Sequence, residues 1–450
     1  MSHLPKIAVI GSGISGLGAA HSLVGHADIT LYEASSYFGG HTHTVDVTLP
    51  TQRGAVTHGV DTGFLVYNTR TYPLLMALFA QLEVASAASE MSFSVQVPGA
   101  WRASNGQAQT LEWSGGSVAS VFAQRRNVYN PRFLRMLWQL LRFNRLCSQY
   151  ALANQPAQLQ QPLQDFLRQH RFSEDFCHWY LLPMLGCIWS CPTEQMLQFP
   201  VATMIRFCHN HGLLQVTNRP PWYTVPGGAR QYVDKITAQI ANKRLNTPVT
   251  QILRDTQGVR VFSKNGVERF DKVVLATHAP QALALIGDAS GAERQVLGAF
   301  RTQANRVLLH TDSSVLPKHR STWSAWNYVS QPASSMPSPV CLHYLLNKLQ
   351  PLPFEQSVIA SLNPHQPIAK HSILGEFSYA HPVYDAQAIA AQLRLNDLQG
   401  HHHSYFCGAW MGYGFHEDGL KSGMAVARQV LQALHGALRN DGNAFWQEAA

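Results

Sequence analysis

The chain is short of charge. Asp, Glu, Lys and Arg make up only 13% of its 450 residues, against 46% hydrophobic. A chain so poor in charge hides much apolar surface, either in a large core or against an apolar partner. It also lacks any Lys/Arg tract. The basic excess, 34 residues against 26 acidic ones for a net charge of +8, is spread thinly. That argues against a nucleic-acid partner and suits attraction to anionic lipid or cofactor phosphates. No apolar run approaches the roughly 18–20 residues of a membrane-crossing helix. No signal-peptide pattern precedes the first strand-like run, Lys6–Ile10. The seven cysteines are odd in number and form no CxxC pair, which points to a reduced, cytoplasmic compartment, with a peripheral contact on the inner face of a membrane left open. Cys187 and Cys191 lie four apart without a second pair or a histidine at metal spacing, so packing is expected of them and no metal site.

What is present starts at the N-terminus. Lys6–Ile10 is a short apolar strand suited to burial in a parallel sheet. Gly11, Ser12, Gly13, Ile14, Ser15 and Gly16 follow, then a helix to about Leu23 and a second strand, Asp28–Tyr32, ending at Glu33. Gly11 permits the tight turn, Gly13 lets backbone approach a pyrophosphate, and Gly16 lets helix and strand pack closely. The helix start offers free N–H groups and a partial positive charge to phosphates. Glu33 stands about 20 residues on, where a carboxylate accepts ribose hydroxyls. A bare glycine-rich turn is the plain alternative, but the strand, helix and acid fall in the order a dinucleotide site requires.

The chain continues Ala34-Ser-Ser-Tyr-Phe-Gly39-Gly40-His41, with His43 two residues on. This resembles the E-A-x(4)-G-G signature of the flavin-containing amine oxidoreductase and phytoene-desaturase-like families. The resemblance implies FAD as cofactor. Those families often place Arg after the glycines; this chain has His41 there. Val60–Val66 resembles the family strand beside the flavin ring, which would put Gly63 and Phe64 against it. Val225–Ala229, Thr247–Leu253 and Asp271–Thr277 resemble the return to the cofactor domain, with Val249 at the adenine contact and Ala276 at the strand end. Tyr405–Ala409 and the helix expected from about Gly419 resemble the family's C-terminal flavin segment, bringing in Gly408, Ala409, Gly419 and Leu420. Relatives commonly carry Asp where Ala409-Trp410 stands.

The expected fold class is α/β: a Rossmann-type FAD-binding domain (GR2-like) from residues 1–70, 222–285 and 400–440, with an α+β substrate domain formed by two insertions, 71–221 and 286–399, and a tail, 441–450. The first insertion reads as largely helical and the second as strand-rich. Within the first, a helix over Asn130–Leu146 would set Arg132, Arg135, Arg142 and Arg145 on one face and Phe133, Leu134, Leu137, Leu140 and Leu141 on the other, with Met136 and Phe143 widening the apolar face and Trp138 at its border. It reads either as a core helix with its arginines in water or as a helix lying on an anionic membrane. Tyr67–Pro73, Leu182–Pro192, Phe199–Phe207 and Gly412–Gly419 resemble a bacterial subgroup of the family linked to methylated, cyclopropane or furan acyl chains.

The expected activity is hydride transfer from a C–H bond of an apolar, fatty-acyl substrate to the flavin, by desaturation or oxidation, with the electron acceptor open. Desaturation also needs a proton acceptor, and motif placement offers His416, Glu417 and Tyr413. Oxidation of a small amine and a non-redox flavin isomerase remain as alternatives.

Overall fold

The computed structural model describes residues 4–103, 105–153, 161–190, 192–215, 219–330 and 339–435. Cys191 and the tail 441–450 lie outside them. Five strands form a parallel sheet in the order Asn242–Arg244, Asp28–Tyr32, Lys6–Ile10, Lys272–Leu275, Ser404–Phe406. Ile7, Ala8 and Val9 are fully buried, because both faces of this sheet are covered. The helices Ile14–Leu23 and His416–His435 pack on one face. The antiparallel meander Val249–Phe270 and the helix Ala279–Leu285 cover the other.

The two helices on the first face approach closely enough to exclude side chains at their crossing. A Cβ on Gly423 would stand 2.0 Å from the Ser15 carbonyl oxygen, and one on Gly419 would stand 2.7 Å from Ile14 Cγ2. Gly18 faces Leu420 in the same way, at 2.7 Å. The C-terminal helix starts at His416, three residues before the Gly419 start expected from sequence. Gly419 and Leu420 therefore work in the helix–helix seam and do not form the helix tip.

A seven-stranded mixed sheet forms the second half, in the order Ile373–Val383, Arg301–His310, Ile359–Leu362, Cys341–Leu345, Trp326–Val329, Phe93–Arg102, Ala108–Ser114. The first insertion thus contributes two strands as well as helices. They join through parallel pairing of Phe93–Gln96 with Trp326–Val329. The helices Pro131–Ala153, Leu182–Trp189 and Val201–Asn210 share one core with this sheet.

The helix Pro131–Ala153 keeps Phe133, Met136 and Phe143 on the expected apolar face but turns Leu134 and Leu141 out of it. Phe133, Met136, Gln139, Phe143, Asn144 and Cys147 point inward, while Leu134, Trp138 and Leu141 are exposed. Gln139 explains part of this orientation. Its amide oxygen accepts hydrogen bonds from the Ser173 N–H at 3.2 Å and the Ser173 hydroxyl at 2.6 Å, so a polar side chain is satisfied inside and the leucines rotate outward.

Replacing Gly423 by Ala is expected to destabilise the protein by about 1–3 kcal/mol, because the methyl group must push two packed helices apart. Chemical denaturation of the variant checks this, and an unchanged midpoint would show that the seam is slack.

Candidate active site

The loop after the first strand is held in shape by backbone contacts. Gly11 has φ +100°, its N–H donates to the Tyr32 carbonyl at 2.9 Å, and a Cβ there would lie 2.9 Å from the Ala276 carbonyl oxygen. A Cβ on Gly16 would lie 1.9 Å from the Gly11 oxygen. Around Gly13, by contrast, a Cβ would meet nothing within 4 Å. The helix from Ile14 has no side-chain cap and no acid in its first turn. Its first N–H groups have no intrahelical acceptor and remain available to an anion.

Glu33 closes the loop. Its carboxylate accepts from the Ser12 N–H at 2.9 Å, from the Ser12 hydroxyl and from the Ser35 N–H at 2.9 Å. Ala34 follows it at the surface. The second glycine pair then touches the first loop: the Gly39 N–H donates to the Ser12 carbonyl at 3.1 Å, and Gly40, φ +59°, would place a Cβ 3.0 Å from the Gly13 Cα. Val249 stands two residues beyond Thr247, whose N–H donates to the Glu33 carbonyl at 2.8 Å.

Beyond these loops the chain gathers imidazoles. The Phe64 N–H donates to the His41 carbonyl at 2.8 Å, and a Cβ on Gly63 would lie 2.2 Å from that oxygen. The His41 ring faces His381 at 5.6 Å, His278 at 6.0 Å and Tyr379 at 5.3 Å between centroids. Its Nε2 is shut off from solvent without a hydrogen-bond partner. Phe64 stacks on His416 at 3.8 Å. His416 Nε2 in turn meets the Tyr232 hydroxyl at 2.7 Å and Thr42 Oγ1 at 3.1 Å. His43 stacks on Tyr37 at 3.9 Å and meets the Tyr379 hydroxyl at 2.9 Å. Desolvation pushes His41 and His416 down to about 3 and His381 down to about 4, and it lowers His278 as well, so these rings are neutral at physiological pH. Sequence reading did not find Thr42, Tyr232, His278, Tyr379 or His381. His278 follows directly on the strand motif ending at Thr277 and was within reach; Tyr379 and His381 sit on a strand of the second insertion that carries no motif.

The C-terminal block places its residues differently from expectation. Trp410 turns into the core, stacking edge-on against Phe300 and donating from Nε1 to the Thr277 carbonyl at 3.0 Å. The Gly408 N–H donates to Ser422 Oγ at 3.0 Å. Glu417 is held by backbone donors, and burial pushes its carboxyl up to about 7. Its two oxygens accept the Leu74 and Leu75 N–H groups at 2.7 and 3.0 Å, capping the helix Pro73–Gln81 from across the molecule. Asp418 does the same for the Tyr413 and Phe415 N–H groups, both at 3.0 Å. The Tyr413 ring lies 6.1 Å from Phe207, on which Phe415 stacks at 4.8 Å. His416 Nε2 is engaged by two hydroxyls, those of Thr42 and Tyr232.

A sequence model of flavin containing amine oxidoreductases matches residues 14–431. The chain belongs to that family. No curated protein sequence matches the chain. Among solved structures, this oxidoreductase is similar to a cyclohexylamine oxidase from Brevibacterium oxydans, at 16% identity and TM-score 0.64, covering 96% of this chain and 99% of that one. It is similar to a CLA-producing fatty acid isomerase from P. acnes, at 15% identity and TM-score 0.63, covering 95% and 99%. It is similar to putrescine oxidase bound to putrescine, at 12% identity and TM-score 0.64, again covering 95% and 99%. At such identities these likenesses establish the fold.

The oxidoreductase is FAD-dependent, and its residues fit that cofactor. The uncapped helix start, the space beside Gly13 and the unpartnered His41 Nε2 are features that a bound dinucleotide would satisfy. Gly11, Gly13, Gly40, His41, Gly63, Phe64, Ala276, Ala409 and His416 all keep accessible surface, although the strands leading to several of them are buried.

Because the unfolded chain takes up protons at histidine near pH 6.5 while these four rings resist protonation, their contribution to stability is complete above that pH and is lost as pH falls toward 4. The denaturation midpoint of the apoprotein is expected to drop between pH 7 and 5, and His381→Gln to make that drop shallower. A flat profile would show that the rings accept protons in the folded state.

Proposed function

We propose that the protein is an FAD-dependent desaturase or oxidase of an acyl-chain substrate with an anionic head. The observation that carries this reading is a cavity of about 220 Å³ lined by Met91, Leu213, Pro220, Pro221 and Trp222, with Ser89, His211 and Arg219 as its hydrogen-bonding side chains. Its lining includes a cation and no carboxylate. Such a lining suits an apolar chain ending in a carboxylate or phosphate and repels a protonated amine.

The cavity adjoins an aromatic path toward the C-terminal segment. His211 stacks on Phe207 at 3.9 Å and lies 5.6 Å from Phe415, one residue before His416. His211 Nδ1 lies 3.0 Å from the Phe207 carbonyl oxygen. A carbonyl only accepts, so Nδ1 carries the proton and Nε2 keeps its lone pair. Burial lowers its pKa to about 4, which keeps the ring neutral with Nε2 open to a proton while making it a weaker base than free imidazole. We assign proton acceptance to His211 in place of Glu417 and His416. Bound FAD would supply the hydride acceptor, and His211 would take the proton from the neighbouring carbon, leaving a C=C bond.

In this reading Gly11, Ser12, Gly13, Ile14, Ser15 and Gly16 hold the pyrophosphate, Glu33 and Val249 the adenosine end, and Gly39, Gly40, His41, Gly63, Phe64, Ala276 and Ala409 the remainder of FAD. Glu33→Ala is expected to weaken FAD binding by roughly 10–100-fold, the loss of a charge-assisted hydrogen bond. Titration of apoprotein with FAD measures it, and unchanged affinity would sink the ribose assignment.

The substrate is tested by adding a fatty acid or phospholipid with a methylated unsaturated chain under anaerobic conditions and following flavin absorbance. Bleaching is expected, with His211→Asn slowing it and Arg219→Ala raising the substrate concentration needed, both at full FAD content. Bleaching by putrescine or cyclohexylamine but by no acyl substrate would reverse the assignment to amine oxidation. A rearranged acyl product without net flavin reduction would make the protein an isomerase.

A further inference from the structure

Large apolar side chains on the surface are not scattered evenly. Seven of the ten exposed ones among the described residues lie between Val118 and Leu152. On the helix Pro131–Ala153 they form a line. Leu134, Trp138, Leu141 and Leu152 are spaced so that all fall within a narrow outward stripe, and Trp138, Leu141 and Leu152 are 60%, 57% and 76% exposed. Tyr129, 87% exposed, stands just before the helix. The opposite face is anchored: Phe133, Met136, Phe143 and Cys147 are fully buried, and Arg132 pairs with Asp175. The stripe is therefore a fixed surface of a packed helix.

Its charge is one-sided. From residue 113 to residue 164 the chain holds six arginines and no Asp, Glu or Lys. Arg135 and Arg145 are exposed beside the stripe, and among the described residues no carboxylate pairs with either. Arg142 lies 5.7 Å from the Trp138 ring centroid, at the stripe's edge. Apolar side chains flanked by unpaired arginines, with an exposed tryptophan between, match the boundary between acyl chains and anionic headgroups. No described helix is long and apolar enough to cross a membrane, so such a contact lies on the surface.

We propose that the outward face of the helix Pro131–Ala153, with Tyr129 beside it, docks the protein on an anionic membrane surface. A second copy of the chain is the weaker occupant, since a two-fold pairing sets the same patch against itself and brings unpaired arginines together. The inference stands on surface geometry and charge and does not depend on the substrate. The docking helix also packs against Val201–Asn210, the helix that carries Phe207 and leads to His211.

The test is flotation of the FAD-loaded protein with vesicles of phosphatidylcholine alone or mixed with phosphatidylglycerol, at low and high salt. Binding is expected to the phosphatidylglycerol vesicles and to weaken with salt. The Trp138→Ala/Leu141→Ala pair should reduce binding about tenfold or more, and Arg135→Glu/Arg145→Glu should abolish the preference for anionic lipid. Both variants should keep FAD absorbance and the wild-type melting temperature, since the altered side chains face solvent. Absence of flotation at low salt would overturn the proposal, as would undiminished binding by both variants. A concentration-dependent dimer that these substitutions dissolve, without vesicle binding, would assign the face to a second copy. Because flotation reads no turnover, failure of the acyl-substrate assignment would leave this result standing.

Discussion

The structure depends on close backbone approach where a side chain would not fit. Gly11 sits against Ala276, Gly16 against Gly11, Gly40 against Gly13, Gly63 against His41, and Gly419 and Gly423 against Ile14 and Ser15. Apart from Gly16 on Gly11, which tightens one loop, these contacts join segments from different parts of the chain, from the N-terminal loop to the last helix. Close packing transmits any added volume as strain. These approaches bring the segments near residues 11, 41, 63 and 276 close to one another.

A second constraint follows from the scarcity of charge. The acids of the C-terminal segment serve structure: Glu417 and Asp418 accept backbone N–H groups where helix and turn would otherwise leave them unpaired. Around Gly63 and Phe64 stand hydroxyls and imidazoles that burial keeps neutral, together with the buried carboxyl of Asp61, which desolvation pushes up to about 6. The cavity-side cation, Arg219, comes just before the Val225–Ala229 segment in sequence.

Much of the cofactor half was legible because its signals are local. The strand Lys6–Ile10, the helix Ile14–Leu23 and the strand Asp28–Tyr32 occur where spacing and glycine placement put them. The substrate half was less legible. The pairing of Phe93–Gln96 with Trp326–Val329 spans more than half the chain, and no local pattern announces it. The helix Pro131–Ala153 has apolar residues on both sides, so periodicity alone could not choose its inner face.

The sequence by itself determined the dinucleotide loop, the acid at Glu33 and the family. These rest on the conformational freedom of particular glycines and on the short-range order of strand, turn and helix. Tertiary structure alone decided what the polar residues do. It turned Glu417 into a cap and Trp410 into core, fixed His416 between two hydroxyls, brought His41, His278 and His381 together, and set Leu134, Trp138 and Leu141 outward. The physical reason is that a side chain's chemistry is settled by its partners and its burial. Those partners come from segments tens to hundreds of residues away, beyond the reach of any spacing rule.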